Sequence, residues 1–213
     1  ATTDTRKRID ELFTTWNRPD SPGMAVGVVK DGQWFHKQGY GTMNLDYGKP
    51  VGSDTVFYLA SVSKQFVAAC VALLEIDGKL QLNDDVRQYI PELPASLGRI
   101  TITNLLHHTS GLRDYLSLME SAGKQTSDVH RRQDLLQLVF LQKELHFAPG
   151  TEYRYCNSGY LLLAEIVERV SKMSLAQYAQ KHIFTPLEMR NTRFHDDRTR
   201  IVKERAISYE RAN

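Results

Sequence analysis

A serine and a lysine spaced by one helical turn are the residues of this sequence best suited to covalent chemistry. Ser61 and Lys64 open a stretch, residues 61–76, that predicts a helix ended by Gly78. Residues 65–74 contain no charged side chain, so we expect this helix to lie in a core. Positions i and i+3 share a helix face, which brings the Lys64 amine within reach of the Ser61 hydroxyl.

The predicted position of Lys64 favours a chemical role. The N-terminus of a helix is electropositive and burial penalises charge, so both disfavour the ammonium form. A neutral amine is a competent base for a serine nucleophile, and free backbone N–H groups at a helix start suit a developing oxyanion. The alternative is an N-capping serine beside a lysine that reaches solvent, and spacing and burial leave both open. Ser121 and Lys124 repeat the spacing in a polar stretch, where we expect no site.

Tyr155 and Asn157 form a second candidate pair, just before a predicted helix over residues 158–171. In an extended segment, residues i and i+2 face the same side, so the phenol and the amide can line one cleft. A tyrosine beside a lysine could ionise and move a proton, and an asparagine could position a substrate carbonyl or amide. A packed tyrosine followed by a turn-forming asparagine is the alternative, and the pattern alone leaves it open.

The remaining elements are a helix-and-hairpin start followed by a mainly helical region. Hydrophobic periodicity and turn residues predict a helix over residues 4–16, strands over 24–30, 33–40 and 55–59, and further helices over 103–108, 131–143 and 174–184. Asp31-Gly32 is a tight-turn dipeptide that joins the first two strands. A hairpin and one short strand are marginal alone, so either the first helix covers the hairpin or more strands come from other polypeptide.

Composition and charge exclude several classes of function. The 213 residues are 41% hydrophobic and 24% charged with a formal net charge of +2, which is typical of a soluble globular protein and argues against nucleic-acid binding. No apolar run approaches the roughly 18 residues of a membrane span. The two cysteines predict no disulfide framework and leave both a periplasmic or secreted and a cytoplasmic location open. Adjacent helix residues point about 100° apart, so His107 and His108 are assigned a structural role and no metal site is predicted.

The motifs, taken together, resemble those of the serine β-lactamase/DD-peptidase superfamily. The similarity is greatest to its class C β-lactamase-like branch of penicillin-binding proteins, esterases and D-aminopeptidases. It runs from near residue 4 to near residue 195 through matching segments in familiar order, namely residues 25–32, 60–66, 102–112, 147–150, 155–160 and 183–187.

This resemblance implies a fold and a division of the chain. The fold class would be α/β (α+β), β-lactamase/transpeptidase-like, with an antiparallel sheet flanked by helices and a separate helical region. Residues 1–60 would form the N-terminal helix and hairpin of the α/β layer. Residues 61–213 would form the mainly helical region that carries both motifs, and the site would lie between the two parts.

The resemblance also implies a role for each matched residue. Ser61 would be acylated by an ester, amide or β-lactam carbonyl, and its backbone N–H would form half of an oxyanion hole. Lys64 and Tyr155 would share the acid and base work, and Asn157 would bind the substrate. The implied enzyme is a serine hydrolase or acyltransferase that needs no metal or cofactor, with a small molecule or peptide as substrate, D-amino-acid peptides included. The rival hypotheses are a non-catalytic penicillin- or peptide-binding scaffold and a metal-dependent hydrolase that uses the histidines.

One motif of the family does not occur. No Lys-Thr/Ser-Gly or His-x-Gly sequence follows Tyr155, although the family places one on a later strand that supplies the second oxyanion donor. We therefore expect an incomplete sheet, C-terminal strands contributed by a complementing polypeptide segment, and weak or no activity from residues 1–213 alone.

Overall fold

The protein forms two compact units. The computed structural model describes residues 2–125, 128–197 and 199–210. One unit combines the residues up to Ala60 with those from Asp197 onwards, and the other comprises Ser61–Asp196. The predicted division into residues 1–60 and 61–213 therefore differs from the structure at its C-terminal end, because the last described residues join the first unit.

The first unit is built on a β-hairpin. Its elements are α1 (Thr2–Leu12), β1 (Met24–Lys30), β2 (Gln33–Tyr40), β3 (Thr42–Asn44) and β4 (Lys49–Pro50). Strands β1 and β2 pair antiparallel from Met24 opposite Tyr40 to Lys30 opposite Gln33. Asp31 and Gly32 both have left-handed φ values, of 50° and 72°, as a two-residue hairpin turn of type I′ requires. The predicted hairpin is confirmed, and β3 and β4 form a second, shorter antiparallel pair.

Helix α1 and the turn that follows it contact strand β2 through a polar and an aromatic interaction. The Tyr40 hydroxyl donates to the Asp10 carboxylate at 2.7 Å and lies 2.8 Å from the His36 ring nitrogen. The Phe13 ring stacks on Tyr40 with a centroid distance of 4.9 Å. The helix ends at Leu12, earlier than the predicted residue 16, and a turn follows.

The predicted strand over residues 55–59 is wrong. Val56 forms a single parallel bridge with Arg205. Its N–H donates to the Glu204 carbonyl at 2.8 Å and its carbonyl accepts the Ala206 N–H at 2.8 Å. Nearby, the Tyr209 hydroxyl accepts a backbone N–H from Leu45 at 2.7 Å. These contacts explain why residues from 197 onwards belong to the first unit.

The second unit is helical. Its α-helices are α2 (Lys64–Ile76), α3 (Ile102–Leu106), α4 (Tyr115–Ser121), α5 (Arg132–Phe140), α6 (Asn157–Ser171) and α7 (Leu175–Ala179), and the last continues as a π-helical turn, Gln180–Phe184. Helix α6 packs against both α2 and α3. The buried side chains at its centre include Leu74, Ile102, Leu105, Leu162, Leu163 and Ile166. In the part of the chain described above, no helix combines the length and apolar character needed to cross a membrane.

Five of these helices match predicted ones to within a few residues, and α4 was not predicted. The N–H of Leu116 donates to the Asp114 carboxylate at 2.9 Å, so Asp114 is the N-cap of α4. This is the usual way in which an aspartate satisfies the free N–H groups of a first turn. The sequence pattern Asp-Tyr-Leu thus contained the start signal of this short helix.

The loop between α3 and α4 is tied to the segment that leads into α6. The His146 N–H donates to the Gly111 carbonyl at 2.7 Å, and the Gly150 N–H donates to the Thr109 carbonyl at 2.8 Å. Gly111 has a φ of +74°, and a Cβ atom at this position would lie 2.1 Å from the carbonyl oxygen of Phe147. Only glycine fits this close backbone approach.

We predict that Gly111→Ala destabilises the protein by about 2–5 kcal/mol, the sum of a left-handed backbone penalty and a steric clash. Gly78→Ala is the matched control, because Gly78 has a φ of +68° but an added Cβ would meet nothing within 4 Å. The control is expected to lose only about 1–2 kcal/mol. Urea unfolding of both variants measures the difference, and equal losses would show that the approach to Phe147 is unimportant.

Candidate active site

Ser61 and Lys64 lie at the start of helix α2. Ser61 belongs to the 3-10 turn Ala60–Ser63, and Lys64 is the first residue of the α-helix that follows. The Ser61 side chain is exposed and Lys64 is half-buried. Lys64 Nζ donates to Ser61 Oγ at 3.0 Å. The predicted approach of the two side chains is therefore present, although Ser61 precedes the α-helix instead of lying within it.

Tyr155 and Asn157 lie at the start of helix α6. Asn157 is the first residue of the helix, and Tyr155 lies in the extended segment before it, with 45% of its surface exposed. Lys64 Nζ donates to the Tyr155 hydroxyl oxygen at 2.6 Å and to Asn157 Oδ1 at 2.9 Å. All four predicted site residues thus meet where the N-terminal ends of α2 and α6 come together.

The Lys64 side chain is the common partner in this cluster. A lysine ammonium has three N–H donors, and Ser61, Tyr155 and Asn157 provide three oxygen acceptors. Lys64 Nζ also lies 4.8 Å from the centroid of the Tyr155 ring and 5.5 Å from that of Tyr160, where the ring faces attract a cation. Among the described residues, no carboxylate lies within salt-bridge distance of Lys64.

A direct contact links the candidate nucleophile to the phenol. Ser61 Oγ lies 2.6 Å from the Tyr155 hydroxyl oxygen. Burial raises the pKa of Tyr155, but the hydrogen bonds from Lys64 and Ser61 and the charge of Lys64 outweigh it, so the pKa lies below the usual 10.0. The cluster therefore holds a serine hydroxyl beside a phenol that loses its proton more readily than an ordinary tyrosine.

Asp114 supports the cluster, and the motif analysis missed it. Its carboxylate accepts the backbone N–H of Asn157 and, through its other oxygen, caps helix α4. A carboxylate at the N-terminus of α6 is electrostatically favourable. The negative charge also acts on Tyr155, where it raises the pKa and opposes Lys64. In the sequence, Asp114 stands at a helix-capping position. That position indicates a structural role for Asp114 but does not reveal its contact with α6.

His108 also adjoins the cluster, whereas His107 does not. The Nδ1 atom of His108 accepts the N–H of Cys156 at 3.2 Å. His107 is exposed. Across residues 2–125, 128–197 and 199–210, no group of three or more His, Cys, Asp or Glu side chains is placed to hold a metal ion.

The second Ser-x-x-Lys sequence lies elsewhere. Ser121 is the last residue of α4, and its hydroxyl donates to the carbonyl of Ser117 at 2.8 Å. Ser121 and Lys124 are both exposed. The two Ser-x-x-Lys sequences therefore have the same spacing but different surroundings. Only Ser61 and Lys64 are followed by a buried helix and faced by a tyrosine.

Comparison with known proteins places the chain in a family of serine hydrolases. The chain belongs to the Beta-lactamase family, whose family model matches residues 9–212. The resemblance stated from the motifs is confirmed.

A D-aminopeptidase of Cereibacter sphaeroides is one of the similar proteins. It is 35% identical over 190 residues, which cover 89% of this chain and 36% of the relative. The chain therefore spans little more than a third of the length of that protein.

Solved structures of two relatives share the fold. The octameric penicillin-binding protein homologue from Pyrococcus abyssi matches with a TM-score of 0.82 and 25% identity, over 97% of this chain and 48% of the other. A class C beta lactamase matches with a TM-score of 0.74 and 27% identity, over 96% of this chain and 54% of the other. The predicted β-lactamase/transpeptidase-like fold is confirmed, with small antiparallel sheets and helices.

We predict that Lys64→Met raises the pKa of Tyr155. The substitution removes a hydrogen bond and a positive charge that lower this pKa, whereas burial and the Asp114 charge, which raise it, remain. Ultraviolet difference titration of tyrosinate, against the same proteins carrying Tyr155→Phe, measures the shift. Lys124→Met, a change at an exposed lysine, is the control and should leave the titration unaltered. An unchanged Tyr155 titration in Lys64→Met would contradict the electrostatic account.

Proposed function

We propose that this protein is a serine hydrolase or acyltransferase that forms an acyl-enzyme on Ser61. The observation that carries the proposal is the triangle of Ser61 Oγ, Lys64 Nζ and the Tyr155 hydroxyl oxygen, whose sides measure 2.6–3.0 Å. The exposed hydroxyl of Ser61 can meet a substrate carbonyl, and its proton has an acceptor within hydrogen-bond distance.

In this proposal Tyr155 accepts the proton and Lys64 stabilises the phenolate. The pKa of Tyr155, lowered from its usual 10.0, supports this division, as do the three oxygen acceptors around Lys64 Nζ. As Ser61 Oγ bonds to the carbonyl carbon, its proton passes to the Tyr155 oxygen. The same proton then passes to the leaving nitrogen or oxygen when its bond to the acyl group breaks. This differs from the expectation that an uncharged Lys64 acts as the base.

Release of the acyl group follows by the reverse proton movement. Water attacks the acyl carbonyl and gives a proton to Tyr155, and Ser61 Oγ regains that proton as the ester bond breaks. We assign the backbone N–H of Ser61 to the oxyanion. Asn157 accepts from Lys64 through Oδ1, which leaves its Nδ2 donor to hold a substrate acceptor.

The relatives guide the choice of substrate. The D-aminopeptidase supports peptides and amides of D-amino acids as the first compounds to test. The class C beta lactamase and the penicillin-binding protein homologue support β-lactams as the second class. Simple esters present the same carbonyl chemistry to Ser61 and form a third class.

A second candidate is a non-catalytic scaffold that binds penicillins or peptides. The missing Lys-Thr/Ser-Gly or His-x-Gly motif after Tyr155 favours it, because the second oxyanion donor is then unassigned. Loss of one such donor costs about 10²–10³ in rate. We propose that a further polypeptide segment supplies the donor, and we expect residues 1–213 without it to be weakly active or inactive.

We predict that a fluorophosphonate attaches to Ser61 of the natural-length protein, meaning residues 1–213 together with the proposed further segment, with loss of fluoride. Intact-mass spectrometry should show one adduct, absent in Ser61→Ala and retained in Ser121→Ala, the matched control with the same Ser-x-x-Lys spacing. Lys64→Arg should slow labelling about 10²-fold or more, because a guanidinium lacks the compact ammonium geometry. An unlabelled wild-type protein would favour the scaffold, and labelling that survives Ser61→Ala would remove Ser61 from the mechanism.

A further inference from the structure

His108 holds the segment that carries Tyr155 through two backbone hydrogen bonds. Its carbonyl accepts the N–H of Arg154 at 2.9 Å. Its ring Nδ1 accepts the N–H of Cys156 at 3.2 Å. The two bonds lie on either side of Tyr155 in the chain, so a single residue fixes the backbone from which the phenol projects.

The ring of His108 also packs among the tyrosines of the site. Its centroid lies 4.6 Å from that of Tyr155 and 5.3 Å from that of Tyr160, with an interplanar angle of 35° to each. Tyr153 meets the same ring edge-on at 6.0 Å. These contacts restrict the direction in which the Tyr155 ring can point, and they are made by a side chain that is itself half-buried.

The backbone of His108 is in a conformation that most side chains avoid. Its φ is 58°, in the left-handed region where histidine, asparagine and aspartate are enriched. Such a conformation persists when the surrounding structure enforces it, and it often accompanies functional sites. Here it turns both the carbonyl and the ring of His108 towards residues 154–156.

We propose that His108 is a positioning residue for Tyr155, acting as a neutral imidazole whose Nδ1 accepts the Cys156 N–H and whose ring orients the phenol. The inference rests on the proposed function, because it assigns His108 to the proton transfer between Ser61 and Tyr155. It goes beyond the structural role that the sequence pattern indicated for the histidine pair.

The net effect of the surroundings is to favour the neutral imidazole. Burial lowers the pKa of His108 and the charges of Lys64 and His107 lower it further, whereas the Cys156 backbone and the charge of Asp114 oppose them. The other titratable groups facing the ring are Cys156, whose thiol keeps its proton because burial raises its pKa, and three tyrosines, of which Tyr155 carries a negative charge in the proposed phenolate form. Protonation at low pH would convert Nδ1 from an acceptor into a donor, break the bond to Cys156, and place a second cation near Lys64.

The test compares two substitutions that both tolerate a positive φ. His108→Asn keeps an acceptor oxygen near the position of Nδ1, whereas His108→Gly removes the acceptor. We expect the Ser61 labelling rate of natural-length protein to fall about 10- to 100-fold in His108→Gly, as for a misplaced reacting group. His108→Asn should recover most of that rate. The part of the acid decline that comes from protonation of His108 should be absent from the profile of His108→Asn, which keeps only the decline set by protonation of Tyr155.

The outcomes separate this inference from the proposed function. If the wild-type protein is not labelled at Ser61, the proposed function fails. If it is labelled, an unchanged rate in His108→Gly, equal losses in both variants, or an acid limb in His108→Asn identical to that of the wild type would overturn the inference. His107→Asn is the control, since His107 is exposed: the labelling rate at neutral pH should be unaltered, and the acid decline due to His108 should remain.

Discussion

The site depends on one interaction, the contact of Lys64 Nζ with three oxygens at the N-terminal ends of two helices. Ser61 and Lys64 lie at the start of α2, and Tyr155 and Asn157 lie at the start of α6. Without a cation between them, three oxygen atoms would face one another with the negative ends of their dipoles. They are those of the Ser61 hydroxyl, the Tyr155 phenol and the Asn157 side-chain carbonyl. With the cation, each oxygen has a donor, and the Tyr155 oxygen is held 2.6 Å from Ser61 Oγ.

This arrangement carries a cost that the rest of the second unit offsets. A cation at a helix N-terminus is unfavourable by about 0.3–1 kcal/mol, and here two such termini face the same ammonium. Ala60, directly before Ser61, has a left-handed φ of 45°, which costs a further ~1–2 kcal/mol for a residue with a Cβ. The packing of α2 on α6, with Leu74, Leu162 and Ile166 fully buried, supplies the rigidity that keeps these unfavourable features in place. Asp114 contributes by binding the first N–H of α6.

Local sequence signals correctly predicted the elements whose formation depends on residues close together in the chain. The hairpin followed from Asp31-Gly32 and its flanking strands, and the nucleophile helix followed from its uncharged run. The strand expected over residues 55–59 failed because its pairing partner is Arg205, far along the chain, and forms only one bridge. Asp114 and His108 were missed for a similar reason: both act on backbone N–H groups of residues 156 and 157, and no spacing rule reports such contacts. The motifs identified the four candidate site residues, but only the structure shows that Lys64 contacts the other three.

The most direct test of this account is a crystal structure of the natural-length protein with a phosphonate bound covalently to Ser61. The phosphonate places a tetrahedral, negatively charged group where the reaction would create one. The account predicts that Lys64 Nζ stays within about 3.2 Å of Ser61 Oγ, the Tyr155 oxygen and Asn157 Oδ1. A lysine turned to solvent and away from all three oxygens in that adduct would contradict it.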